Sequence, residues 1–166
     1  MKTTTATYEL RKPSETMQWG GRLASAIMRC SHFITQGTTI YLNGPLGSGK
    51  TTLVKGLFRS LGISDNINSP TFGFIHTYDA GAIKAFHIDL YRLNNPLAAN
   101  ILDLDLYHGK PQHIMAVEWP ENGVPVIPPA DIEVSMEDYG TGRMLTMSIK
   151  NGSLEKIIVE LNGDCD

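Results

Sequence analysis

The sequence predicts an α/β fold in three layers around a mixed, partly antiparallel central sheet. Three observations carry this. First, the β-branched, apolar run Thr38–Leu42 passes through a glycine-rich turn into an amphipathic stretch carrying Leu53, Val54, Leu57 and Phe58, the strand–turn–helix order of an α/β unit. Second, the strand-like runs Phe72–Tyr78 and Ile83–Leu90 flank Asp79-Ala80-Gly81-Ala82, a hairpin signature that makes them antiparallel neighbours. Third, 166 residues with 42% hydrophobic and 19% charged side chains can bury one core without disulfide or metal staples, and are too few for two ordinary domains. A single domain over 1–166 is expected.

Taken in order, 5–10 read as a short strand. Pro13-Ser14-Glu15-Thr16 opens a helix, with Ser14 as the expected cap and Glu15 complementing the positive dipole end. Gly20, Leu23, Ile27, Cys30 and Ile34 recur at helical spacing, predicting one buried face through about Gln36, where Gly37 stops the helix. After the strand Thr38–Leu42 and its turn, the second helix ends at Gly62. Pro96 restarts the chain, and Leu97–Leu106 is expected to be a short helix. His113–Glu118 has the continuous apolar character of a fully buried strand, closed by Trp119-Pro120. Pro125, Pro128 and Pro129 mark a loop. Two strands, about Asp131–Met136 and Arg143–Ile149, flank a turn at 138–142, and Ser153–Leu161 fits either a helix or a strand.

Fourteen Lys and Arg stand against 17 Asp and Glu, a net charge of −3, which argues against an autonomous nucleic-acid binder. Cys30 and Cys165 form no ligand-like or CxxC spacing, and Cys30 is expected in the core. No run approaches the roughly 18 apolar residues of a membrane span, and Met1–Thr5 lacks the apolar core of a secretion signal, so no membrane association and a cytoplasmic location are expected.

The chemistry concentrates at Gly44-Pro45-Leu46-Gly47-Ser48-Gly49-Lys50-Thr51-Thr52. Gly-x-x-x-x-Gly-Lys-Thr is the phosphate-binding loop pattern, and here it has the required strand before and helix after. Its glycines let backbone N–H groups from Leu46, Gly47, Ser48, Gly49, Lys50, Thr51 and Thr52 turn inward on phosphate oxygens, at the positive end of the following helix. Lys50 can bridge β- and γ-phosphates, and the Thr51 hydroxyl can bind Mg²⁺. The architecture is thus P-loop NTPase-like. Mg²⁺ also calls for a carboxylate at the end of a neighbouring strand, and Asp89 and Glu118 each close an apolar run: one should face the metal, the other orient water. Ser69-Pro70-Thr71 follows the loop helix, either as a γ-phosphate-sensing hydroxyl segment or as a turn.

Gly44–Thr52, then Ser69-Pro70-Thr71-Phe72, then His87-Ile88-Asp89-Leu90-Tyr91-Arg92-Leu93, then Val117-Glu118-Trp119-Pro120 occur in an order that resembles the bacterial TsaE (YjeE) family over roughly residues 8–150. The resemblance implies a small P-loop ATPase that uses ATP and Mg²⁺. It implies a role in making threonylcarbamoyladenosine next to the anticodon of tRNAs reading ANN codons, with TsaD and TsaB as partners. The tRNA would be met through that complex, and hydrolysis would be slow without it. By position, Lys50 and Thr51 match the family's phosphate and Mg²⁺ residues, Glu118 a Mg²⁺ ligand, Asp89 the Walker-B-like acid and Thr71 the switch hydroxyl. Pro13–Thr16 falls where the family approaches adenine. The sequence departs from its relatives at Asn95–Asn100, where an acidic helix is usual.

Three alternatives are a nucleotide-dependent binding module, a small-molecule P-loop kinase and a GTP switch. The kinase would need lid arginines, and after Arg92 only Arg143 remains. A GTP switch would want an Asn-Lys-x-Asp reader, which is missing. His76, His108 and His113 suit packing or surface roles and His87 a structural hydrogen bond, and Trp119, which can pack over the site or brace the loop, is expected as a brace. Lys55 and Arg59 form a solvated i, i+4 pair or meet a partner.

Overall fold

Period-two alternation along the central strands gives the sheet two buried faces. In a computed structural model, which describes residues 3–70 and 72–163, seven strands form one sheet: β1 (Thr4–Leu10), β2 (Thr38–Asn43), β3 (Ile75–Ala80), β4 (Ile83–Asp89), β5 (His113–Glu118), β6 (Ile132–Tyr139) and β7 (Gly142–Ile149). Their order is β1-β7-β6-β2-β5-β4-β3. The inner four, β6-β2-β5-β4, run parallel, while β3 and the pair β7, β1 add antiparallel edges. The fold is therefore the mixed α/β sheet that the strand–turn–helix unit and the hairpin predicted.

Ile40 and Leu42 of β2 face a core shared with α1 (Pro13–Met28), α3 (Lys50–Ser60) and α4 (Lys156–Gly163). Tyr41 between them joins the opposite core with Phe86, Ile88, Met115 and Val117. The third layer on that side is irregular. Instead of an α-helix over Leu97–Leu106, two 3-10 segments, Pro96–Leu102 and Leu104–Leu106, cover the sheet. Asn95 caps the first through Leu97 N at 2.9 Å, and three-residue spacing sets Ala99 and Leu102 on the core side. The run 153–161 resolves into a 3-10 turn, Gly152–Leu154, and α4.

Several local expectations are corrected. The first helix ends at Met28, because Cys30 takes an extended backbone and restarts the chain as α2 (Ser31–Gln36). That resets the phase, so Phe33 is buried and Ile34 is 51% exposed. Ser14 does not cap α1; Lys12 holds the cap position, and Glu15 Oε2 accepts from Arg11 N at 2.6 Å. Finally β3 begins at Ile75, since Gly73 and Phe74 take φ of 86° and 64° and leave Phe72 83% exposed. Cys30 is half-buried against the core rather than within it, and Cys165 lies outside the described residues. Among the described residues, no helix is long and apolar enough to cross a membrane.

What positions the site is the crossing of α1 on α3. A Cβ on Gly56 would stand 1.9 Å from the Met17 carbonyl oxygen, and one on Gly20 would stand 2.4 Å from that of Leu53. Both obstacles are backbone, so neither can rotate away. Gly56→Ala must therefore separate the helices. Overpacking of about 1–3 kcal/mol outweighs alanine's helix-propensity advantage of about 1 kcal/mol. Urea unfolding should show a lowered midpoint with an unchanged slope.

Candidate functional site

β2 delivers the chain at Asn43 to a six-residue loop, and three of its glycines take backbones closed to other residues. Gly44, Gly47 and Gly49 have φ of 148°, 76° and 101°. At Gly44 a Cβ would also meet the Met136 carbonyl oxygen at 2.5 Å. Gly49, left-handed, stands at the N-cap of α3, so Lys50 is the first helical residue. The Lys50 side chain folds back over the loop. Its Nζ donates to the carbonyls of Gly44 at 2.5 Å and Pro45 at 3.0 Å, and lies 4.2 Å from the centre of the Trp119 ring. With 4% of its surface exposed, burial pushes the ammonium pKa down, while the carboxylates of Glu118, Glu121 and Asp89 push it back up. A desolvated cation held on neutral carbonyls suits exchange onto a phosphate oxygen, a stronger acceptor.

Strand register brings the two acids together. β4 pairs with β5 so that Asp89 is level with Glu118, and β2 sets Leu42 against Glu118 on the other side. Glu118 Oε1 accepts from Thr51 Oγ1 at 2.9 Å and from His87 Nε2 at 2.7 Å. His87 is 0% exposed and Glu118 3%. Asp89 is held separately: Ser69 Oγ donates to Oδ2, and Tyr91 N to Oδ1 at 3.0 Å. Glu118, Asp89, Ser69 and Tyr91, the loop from Leu46 to Thr52, and Trp119 line a cleft of about 340 Å³, with His87 buried behind Glu118. Thr71 lies outside the described residues.

A second cavity of about 210 Å³ lies on the other side of the loop, walled by Pro13 and Thr16 of α1, Gly47–Gly49, Thr52 and the β6–β7 turn. The loop crest thus separates two cavities, one lined by Lys50, Thr51, Asp89 and Glu118 and one walled by α1 and the β6–β7 turn. The sequence reading missed what fastens that crest. Arg143 donates through Nε to the Ser48 carbonyl and through Nη2 to that of Gly47, both at 3.0 Å. Its Nη1 reaches Asp138 at 3.0 Å. Its only sequence signal is that it is the last arginine in the chain, at the mouth of a hairpin.

Trp119 departs from its expected role as a brace. At φ of 57° it turns its ring over Lys50 and to 4.9 Å from Tyr91, so it covers the cleft. His76, His108 and His113 serve local hydrogen bonds to Asn68, Thr39 and Tyr107. Arg59 is exposed and reaches Met17 Sδ at 3.6 Å. If Arg143 holds the crest, Arg143→Lys loses the planar fork that spans two carbonyls. Amide exchange at Ser48, whose N–H is bonded to Pro45 O at 3.1 Å, should then accelerate about tenfold, a protection loss of about 1.4 kcal/mol, while exchange in β5 stays unchanged.

Comparison with known proteins gives one consistent result. The family model described as "Threonylcarbamoyl adenosine biosynthesis protein TsaE" matches residues 10–145. The tRNA threonylcarbamoyladenosine biosynthesis protein TsaE of Haemophilus influenzae is 31% identical over 143 residues, covering 86% of this chain and 88% of that protein. The protein of the same name from Synechocystis is 43% identical over 115 residues, 68% of each chain. A crystal structure of Bacillus subtilis YdiB superposes with a TM-score of 0.78 at 26% identity, covering 100% of this chain and 99% of that one. With a match over most of its length and its glycine-rich loop closing on a strand-end glutamate, the chain belongs to the TsaE family.

Proposed function

We propose that this chain binds Mg·ATP across the loop crest and hydrolyses it in support of tRNA threonylcarbamoylation, at the adenosine next to the anticodon of tRNAs reading ANN codons. The observation that carries the reading is the contact of Thr51 with Glu118 at 2.9 Å beside a buried Lys50. It brings a hydroxyl, a carboxylate and an ammonium to one helix N-terminus, the donor set that Mg²⁺ and a triphosphate ask for. Family membership supports the pathway, and supports TsaD and TsaB as the partners on which hydrolysis is spent.

The residues fit the ligands. The left-handed glycines give the loop a cradle that Cβ atoms would close, and Lys50 would exchange its loop carbonyls for phosphate oxygens. Thr51 and Glu118 would hold Mg²⁺, which supplies charge neutralisation on the phosphates. Asp89, held by Ser69 and Tyr91 N, would orient a water or the metal's hydration shell. Pro13 and Thr16 flank the cavity in which the adenine would lie. The Trp119 ring, 4.2 Å from Lys50 Nζ, would shield the ammonium from water and so strengthen its pull on developing phosphate charge.

The decisive experiment measures ATP hydrolysis by the purified chain with and without TsaB–TsaD. The complex should raise the rate, and Lys50→Ala should abolish the increase. In a calorimetric titration Lys50→Ala should weaken ATP binding about ten- to hundredfold, the worth of a charge-assisted contact of about 1.5–3 kcal/mol; wild-type affinity would refute the site.

The two acids should separate in a Mg²⁺ titration of the complex. Glu118→Gln raises the Mg²⁺ needed for half-maximal hydrolysis. Asp89→Asn instead lowers the rate at saturating Mg²⁺, by about 10²–10⁴ if it orients the attacking water. The reverse pattern would exchange their roles.

A further inference from the structure

His87 has no part in the functional reading so far, and its surroundings are odd for a histidine. It lies on β4 (Ile83–Asp89), wholly buried, on the face whose core includes Phe58 and Tyr78. The Phe58 ring stands edge-on at 6.2 Å. Its Nδ1 is buried with no hydrogen-bond partner. A phenylalanine or leucine would fill the same volume without that loss, since a buried polar atom left unpaired costs stability. Packing therefore does not account for the residue.

What the imidazole does have is one short bond, Nε2 to Glu118 Oε1 at 2.7 Å. Because a carboxylate only accepts, the ring proton is on Nε2. The Thr51 hydroxyl donates to the same oxygen at 2.9 Å. Both bonds fall on Oε1, and among the described residues none falls on Oε2. The strand register adds a second constraint: His87 is level with Ala116 of β5, two residues before Glu118, where the small side chain leaves room for the ring to reach past it.

From this geometry we propose that His87 is a positioning residue, whose Nε2–H fixes Glu118 in the rotamer that offers its second oxygen to the site's divalent cation. The inference rests on the Mg·ATP reading above. When the Thr51 hydroxyl is given up to a cation, the His87 bond is the hydrogen bond on Oε1, among the described residues, that need not change. A ligand's outer partner of this kind commonly accounts for ten- to hundredfold in metal affinity.

The test uses the full chain and reads binding rather than turnover. ATP affinity is measured by calorimetry in EDTA and across a Mg²⁺ titration, for wild type, His87→Phe, His87→Leu and His87→Gln. The two apolar variants should raise the Mg²⁺ concentration that half-saturates the enhancement of ATP binding about ten- to hundredfold, with the affinity in EDTA changed less than about twofold. His87→Gln, which keeps an N–H donor, should recover part of the loss. Imidazole ¹⁵N spectra of the wild type should show the Nε2–H tautomer with and without Mg·ATP, a measurement that does not depend on any variant folding. An unshifted Mg²⁺ requirement in the apolar variants, equal losses with and without Mg²⁺, or a ring protonated at Nδ1 alone would overturn the proposal. Wild-type ATP binding indifferent to Mg²⁺ would instead overturn the reading of the site as a Mg·ATP site.

Discussion

Parallel pairing at the centre of the sheet decides where each reactive side chain stands. β2 hands the chain to the loop at the same edge at which β5 ends on Glu118 and β4 on Asp89. Because β4 and β5 are level at those two residues, the carboxylates emerge side by side. Because β2 is level with β5 at Leu42, the loop that follows β2 must pass over them. Thr51 then meets Glu118 as the second residue of a helix whose start is set by the left-handed Gly49. A one-residue slip of β5 would turn Glu118 to the opposite face of the sheet and put Val117 under the loop.

The sequence makes much of this legible, because the informative signals are local. The loop pattern announces its own strand and helix, and the apolar runs before Asp89 and Glu118 show that both acids sit at strand ends. The His-Ile-Asp-Leu-Tyr-Arg-Leu and Val-Glu-Trp-Pro motifs add order along the chain. What stays hidden depends on distant partners or on a single backbone angle. The break after Met28 comes from an extended Cys30 inside an otherwise continuous helical pattern. The 3-10 cover at Pro96–Leu106 has alanines and leucines that favour an α-helix in isolation, but its register is taken from the sheet beneath. Arg143 shows its role only once the β6–β7 hairpin is folded against a loop nearly a hundred residues earlier.

In and directly behind the cleft stand groups that a core chosen for stability would reject. Lys50 is a cation largely withdrawn from water, and His87 leaves one nitrogen unpaired. The surrounding structure bears these costs through two large apolar clusters, one on each face of the sheet. Trp119, at a positive φ, is a third case of local strain at the same place. All three fall within one side-chain length of Glu118 or Lys50, whereas the helix-covered core beyond them is conventional in composition.

The pairing of β1 with β7 has a consequence for how the chain comes to be competent. Thr4 is joined to Ile149 and Leu10 to Arg143, so β1 waits for a partner more than a hundred residues further along the chain. Contacts this distant in sequence carry a large loop-closure cost and tend to be slow. The phosphate loop, both carboxylates and the α1–α3 crossing are all encoded before residue 120. The Arg143 clamp and the wall beside Pro13 exist only when β7 has come back against β1. A chain in which β1 and β7 have not yet paired therefore carries Lys50, Asp89 and Glu118 without the fastened crest, and the final shape of the cleft is coupled to completion of the sheet.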